Sequence, residues 1–209
     1  MRFLIVDDHP VVRKGLKQIL LDYENTTLVD EASSGQEALI KVCNNDYDAV
    51  LLDISMPGTG GLEALKQIKQ KKPRLPVLML SIHPEEQYAI RAIKTGASGY
   101  LTKDSAPSEL INALLKVCRG QKYITASVAE KLAVAIETDY EKSLHTLLSN
   151  REFQVMCLIA KGHTIKQISD TMMISSKTVS TYRERILLKM NMKTNAEINH
   201  YAFTNNLID

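Results

Sequence analysis

Two short apolar runs in this 209-residue chain end in acids. Phe3-Leu4-Ile5-Val6 stops at Asp7-Asp8, and Ala49-Val50-Leu51-Leu52 stops at Asp53. Short apolar runs bounded by turn signals read as strands buried on both faces. In a parallel α/β sheet, ligands bind outside the carboxyl ends of the strands. If the two strands are neighbours, three carboxylates meet at one sheet edge. At about 5 Å and an effective dielectric of about 20, each pair repels by roughly 3 kcal/mol. A hard divalent cation offsets that repulsion, and Mg²⁺ takes oxygen ligands while keeping several waters. One aspartate after a strand is more often a turn former or helix cap. The reading therefore rests on all three together and on two further strand ends. Ser81 ends the run Val77–Leu80, and Lys103 follows Gly99–Leu101. A hydroxyl donates to a phosphoryl oxygen, and an ammonium is a mobile point charge for phosphate. Acids for a metal, a carboxylate nucleophile and two donors make a phosphoryl-transfer constellation.

The elements that must hold these groups alternate along the first 120 residues. Strand candidates are Phe3–Val6, Leu28–Ala32, Ala49–Leu52, Val77–Leu80 and Gly99–Leu101. Helical patterns lie between and after them, at Val11–Leu21, Gly35–Cys43, Leu62–Lys69, Glu85–Lys94 and Ser108–Arg119. Ser34 with Glu37 three residues on has the spacing of a capping box. Pro84 and Pro107 sit near helix starts, where a missing N–H costs little. Strands alternating with helices predict a parallel sheet covered on both faces.

Residues 121–146 form a partly helical linker without further strands. Ala126–Glu137 is its amphipathic helix, with Val128, Leu132 and Ile136 on one side, and Thr138–Ser143 is the softest boundary. From residue 147 the pattern is all helical. Arg151–Lys161, Ile165–Met172, Ser176–Met190 and Asn195–Thr204 are the helices, and Met173-Ile174-Ser175 tightly joins the second to the third. The third is basic, carrying Lys177, Arg183, Arg185 and Lys189, with Lys193 just beyond it. This is the layout of a helix-turn-helix.

Residues 1–119 resemble the receiver domain of bacterial two-component response regulators. The segments that carry the likeness are Val6-Asp7-Asp8-His9-Pro10, Leu51-Leu52-Asp53-Ile54-Ser55-Met56-Pro57, Leu80-Ser81 and Gly99-Tyr100-Leu101-Thr102-Lys103. The resemblance implies a flavodoxin-like (βα)5 fold with strand order 2-1-3-4-5. It implies that Asp53 accepts a phosphoryl group from a sensor histidine kinase, and that Asp7, Asp8, Asp53 and the backbone carbonyl of Ser55 hold Mg²⁺. Ser81 and Lys103 would contact the phosphoryl oxygens, and Tyr100 would be the aromatic that follows Ser81. His9 reads as the start of the first helix rather than as a base.

Residues 147–209 resemble the LuxR-type helix-turn-helix output of the NarL/FixJ branch. The segments are Leu148-Ser149-Asn150-Arg151-Glu152, Ile159-Ala160-Lys161-Gly162, Gln167-Ile168-Ser169, Ile174-Ser175-Ser176-Lys177-Thr178-Val179 and Leu187-Leu188-Lys189-Met190. Val179, Tyr182, Ile186 and Met190 form one apolar stripe of the third helix. That leaves Ser176, Lys177, Ser180, Thr181 and Glu184 for double-stranded DNA, with Lys177, Arg183, Arg185 and Lys189 on phosphates. Domain boundaries follow at 1–120, 121–146 and 147–209. The whole reads as a phosphorylation-dependent transcriptional regulator that binds an operator as a homodimer, with Asn195–Thr204 as the candidate dimer contact.

Composition narrows the rivals. Lys and Arg number 26 against 24 Asp and Glu, so net charge is only +2. The segment 176–193 is the exception, with five basic residues and one acid. No apolar run approaches the roughly 18 residues of a membrane span, and a cytoplasmic location is expected. Cys43, Cys118 and Cys157 are odd in number and far apart, fitting reduced and mostly buried thiols. A non-enzymatic role is expected. An aspartyl phosphohydrolase is the first alternative, but it needs an acid two residues after its nucleophile, where this chain has Ser55. The second alternative is a receiver with a protein- or RNA-binding output.

Overall fold

The computed structural model describes residues 1–81, 85–137, 143–205 and 207–208. The chain divides into two compact units, Met1–Ala129 and Glu130–Asp209.

The first unit is a five-stranded parallel sheet. Its strands are β1 (Arg2–Val6), β2 (Leu28–Ala32), β3 (Ala49–Asp53), β4 (Val77–Ser81) and β5 (Gly99–Thr102), ordered β2-β1-β3-β4-β5. Its helices are α1 (Pro10–Leu21), α2 (Gly35–Asn44), α3 (Gly61–Lys71), α4 (Glu85–Thr95) and α5 (Ala106–Cys118), followed by α6 (Ala126–Glu137). Every residue of β3 and β4 is buried, as continuous apolar runs covered on both faces demand. Side chains alternate between the faces. Phe3, Ile5, Leu51, Leu78, Leu80 and Leu101 meet Leu16 and Leu20 of α1 and Leu110, Leu114 and Val117 of α5 in one core. On the opposite face α2 lies against β1 and β2, and α3 against β3.

Register brings the chemistry to one edge. Val6 pairs with both Ala32 and Leu52, Asp53 with Leu80, and Ser81 with Thr102. Asp53 and Ser81 are thus the last ladder residues of their strands, one position further than the apolar runs suggest. The Ser34 side chain caps α2 by accepting from the Glu37 N–H. Glu37 itself accepts from the backbone and hydroxyl of Ser33, one residue earlier than a capping box requires. Pro107 lies in the first turn of α5; Pro84 falls outside the described residues.

The segment after α5 differs from expectation. Tyr123 forms a parallel bridge with Gly99, donating its N–H to Ser98 at 2.9 Å and accepting from the Tyr100 N–H at 3.2 Å. A Cβ on Gly99 would lie 2.6 Å from the Tyr123 carbonyl, so only glycine admits this approach. The Tyr123 hydroxyl donates to Glu109 at 2.8 Å. Val128 of α6 is buried, while the side chain of Ile136 and residues 138–142 fall outside the described residues. Thiol burial also departs from expectation, since Cys157 is buried but Cys43 is exposed.

The second unit is helical. A 3-10 turn at Leu144–Leu147 precedes α7 (Asn150–Ala160), α8 (Ile165–Met172), α9 (Ser176–Lys189) and α10 (Asn195–Thr204). Ser149 with Glu152 and Thr164 with Gln167 form full capping boxes at α7 and α8. Met173 adopts a left-handed conformation at φ 50 that ends α8 and turns the chain into α9. Phe153, Met156, Ile168, Val179, Ile186, Met190 and Ile198 fill the core among these helices.

Candidate functional site

Asp7 and Asp53 are fully buried at the carboxyl edge of the first unit, and Asp8 is 20% exposed beside them. Ligand atoms from Asp7, Asp8, His9 and Asp53 all lie within 4.8 Å of one another. The loops hold them in place. Arg13 donates to the Asp7 carbonyl at 2.7 Å while bonding Glu31 at the end of β2. The His9 and Ser55 N–H groups donate to Oδ1 of Asp7 and of Asp53, at 2.8 and 3.3 Å. Gly61 seats the start of α3 on β3, its N–H bonded to the Ile54 carbonyl at 3.0 Å. A Cβ there would lie 1.9 Å from the Asp53 carbonyl oxygen, so the β3–α3 loop depends on a glycine that strand patterns do not reveal.

Lys103 enters the nest from the far side of β4. Its Nζ lies 2.7 Å from Asp7 Oδ2 and 3.0 Å from Asp53 Oδ2. The Lys103 backbone N–H bonds the Ser81 carbonyl at 2.7 Å, tying the two strand ends together. Burial pushes the Asp53 carboxyl above its ordinary value, Lys103 pulls against this, and Asp7 adds to it. Burial alone would lower the Lys103 ammonium, but Asp53 and Asp7 more than reverse that and hold it raised. Ser81 and Tyr100 are both buried, at 0% and 1% exposure.

The acids fit a divalent cation. Asp7 Oδ2, Asp8 Oδ1 and Asp53 Oδ2 are buried and have no hydrogen-bond partner of good geometry among the described residues; Lys103 Nζ forms ion pairs with the Asp7 and Asp53 oxygens, and His9 Nδ1 lies 3.1 Å from Asp8 Oδ1. Buried polar atoms ordinarily have such partners. Three carboxylates also form the hard oxygen donor set that Mg²⁺ prefers.

In the second unit, α9 turns Val179, Ile186 and Met190 inward and half-buries Tyr182. Ser176, Lys177, Thr181, Glu184 and Arg185 are exposed, and Ser180 is half-buried. The Ser180 and Thr181 hydroxyls bond back to the Ser176 and Lys177 carbonyls, at 3.0 and 3.1 Å. Arg183 donates to Asn195 at 2.7 Å. Lys189, expected on phosphates, instead lies 2.6 Å from Glu152, a carboxylate only 3% exposed. Burial would raise Glu152, but Lys189 and the Ser149 cap hold it below the ordinary carboxylate range. The Ser149-x-x-Glu152 spacing was the available sequence signal for this buried acid.

Residues 3–115 match the response regulator receiver domain, and residues 146–202 match the bacterial regulatory proteins of the luxR family. The chain is a response regulator. It belongs to the NarL/FixJ family of these phosphorylation-dependent, DNA-binding transcription regulators. Response regulator UvrY of Escherichia coli K12 is 39% identical over 205 residues, covering 98% of this chain and 94% of UvrY. Response regulator GacA of Pseudomonas aeruginosa PAO1 is 34% identical over 210 residues, covering 100% of this chain and 98% of GacA. Among solved structures, the response regulator RcsB in complex with DNA matches with a TM-score of 0.60 at 25% identity, covering 98% of each chain. No helix of the described residues in this response regulator is long and apolar enough to cross a membrane.

Proposed function

We propose that this response regulator is switched by phosphoryl transfer to Asp53. A sensor histidine kinase presents phosphohistidine. An Asp53 carboxylate oxygen attacks phosphorus, the new P–O bond forms, and the P–N bond breaks with its electrons returning to the imidazole. Asp7, Asp8, Asp53 and the Ser55 carbonyl would hold Mg²⁺, which neutralises negative charge on the transferred group. Lys103 moves from carboxylate to phosphoryl oxygen, and the Ser81 hydroxyl donates to a second one. Tyr100 follows Ser81, which biases a two-state surface around α4 and α5. The observation that carries this reading is the Lys103 ammonium 3.0 Å from Asp53 Oδ2, inside a nest of buried carboxylate oxygens.

The output is operator binding by a cytoplasmic homodimer. RcsB, the relative solved with DNA, supports this reading for the second unit. Two α9 helices would sit about one DNA turn, roughly 34 Å, apart. Ser176, Lys177, Ser180, Thr181 and Glu184 face base edges, Lys177, Arg183 and Arg185 face phosphates, and α10 joins the protomers. Residues 1–120 form the phosphoacceptor part, 121–146 the linker and 147–209 the output. A phosphohydrolase reading is disfavoured because Ser55 stands where such an enzyme needs its general acid.

Acetyl phosphate with Mg²⁺ tests the site. The wild-type chain should take up phosphate on an acyl linkage and the Asp53→Ala variant should not. Uptake by Asp53→Ala would overturn the assignment.

A further inference from the structure

His9 is the part of the nest that the phosphotransfer scheme does not use. It is the N-cap residue of α1, yet its side chain makes no capping bond. Pro10 follows, with its fixed φ, and His9 itself is extended at φ −87 and ψ 110. The ring turns back over the acids instead. Its Nδ1 lies 3.2 Å from Asp7 Oδ1 and 3.1 Å from Asp8 Oδ1, while 63% of the side chain stays exposed. Ligands about 2.1 Å from a metal on adjacent corners of an octahedron stand about 3 Å apart. Each of the two oxygens thus stands from Nδ1 at the spacing of a neighbouring position in one coordination shell, a spacing that a hydrogen bond now spans at Asp7.

We propose that His9 is an imidazole arm that lets borderline divalent ions (Co²⁺, Ni²⁺, Cu²⁺, Zn²⁺) occupy the acidic nest through nitrogen, whereas Mg²⁺ is held by oxygen alone. The inference rests on reading the nest as a divalent-cation site. Its chemistry is that of ligand softness. Carboxylate and carbonyl oxygens suit Mg²⁺, and imidazole suits later first-row ions, whose affinity rises along the Irving–Williams order. A nest of carboxylates alone would discriminate weakly among these ions; one with an imidazole on its rim prefers the later ones. Such an ion would occupy the place that the phosphorylation metal needs, so the chain would be sensitive to transition-metal load.

The test uses the full chain with metals alone. Calorimetry gives affinities for Mg²⁺ and Co²⁺ in the wild type, His9→Ala and His9→Gln, with far-UV circular dichroism confirming that the variants fold. Loss of the arm should leave Mg²⁺ affinity within about twofold and weaken Co²⁺ by roughly tenfold or more. Substoichiometric Cu²⁺ should give an electron paramagnetic resonance spectrum with nitrogen coupling that disappears in both variants and that excess Mg²⁺ displaces. Co²⁺ affinity indifferent to His9, or nitrogen coupling that survives the substitutions or excess Mg²⁺, overturns the proposal and assigns the signal to other histidines. A wild-type chain that binds neither ion overturns the cation site itself, and this inference with it.

Discussion

Lys103 Nζ sits 3.0 Å from Asp53 Oδ2, so the ammonium just beyond β5 neutralises the acid that ends β3 across the intervening strand β4. The same Nζ is 2.7 Å from Asp7 Oδ2, and Lys103 is only 13% exposed. The ammonium thus offsets the repulsion between two buried carboxylates.

Lys103→Met should therefore destabilise the metal-free chain. Breaking a buried pair by removing one partner costs about 3 kcal/mol, which lowers the melting midpoint of this unit by roughly 10 °C. Mg²⁺ should recover most of that loss and should stabilise the variant more than the wild type. Melting curves with and without Mg²⁺ check both points. A variant that melts like the wild type, or that Mg²⁺ does not rescue, would contradict this account.

Gly61→Ala should fail for a steric reason remote from charge. Its Cβ would fall 1.9 Å from the Asp53 carbonyl and 2.7 Å from the Ile54 Cα, and backbone atoms at both points leave no flexible end to yield. A cost of about 2–4 kcal/mol is expected, with weaker Mg²⁺ binding because the β3–α3 loop must shift. Denaturant unfolding and Mg²⁺ calorimetry measure the two effects.

Glu152 should make the stability of the second unit depend on acid pH. Its pKa is held below the ordinary 4.5, so the unfolded state binds its proton first as pH falls. The stabilisation is present above 4.5 and is lost as pH drops through the depressed folded value. Glu152→Gln should cost about 2 kcal/mol at pH 7 through its charged bond to Lys189. The gap between wild type and variant should close in the acid range. A gap that is constant from pH 7 down to pH 3 would remove Glu152 from this role.

On DNA, Lys177→Ala and Arg185→Ala should each weaken binding to all duplexes and reduce the salt slope by about 1. Lys189→Ala should leave the slope nearly unchanged and lower stability instead, because its charge is engaged by Glu152 at 2.6 Å. Binding isotherms across a salt series separate these two kinds of lysine.

Much of the nest is readable from the chain itself. Asp7, Asp8, Asp53, Ser81 and Lys103 each stand at or within two residues after the end of a strand-like run, and a parallel sheet brings such ends to one edge. The stripe of α9 is readable because Val179, Ile186 and Met190 recur at helical spacing. What escapes is whatever depends on a partner from another element. Lys189 shows a basic helix position but not the α7 acid beneath it. Gly61 shows flexibility but not the carbonyl pressed against it. His9 shows a helix start but not the direction its ring takes. Tyr123 lies in a stretch too short to carry a strand pattern, so its bridge to Gly99 appears only once β5 is in place.

That bridge has a practical outcome for anyone dissecting the chain. A fragment cut at Gly120 would strip Tyr123 from β5 and bare the Tyr100 N–H and Ser98 carbonyl that it now engages. A naked sheet margin recruits strands from other molecules. Keeping three more residues retains the cover, and so decides whether the isolated fragment stays monodisperse or sticks to itself.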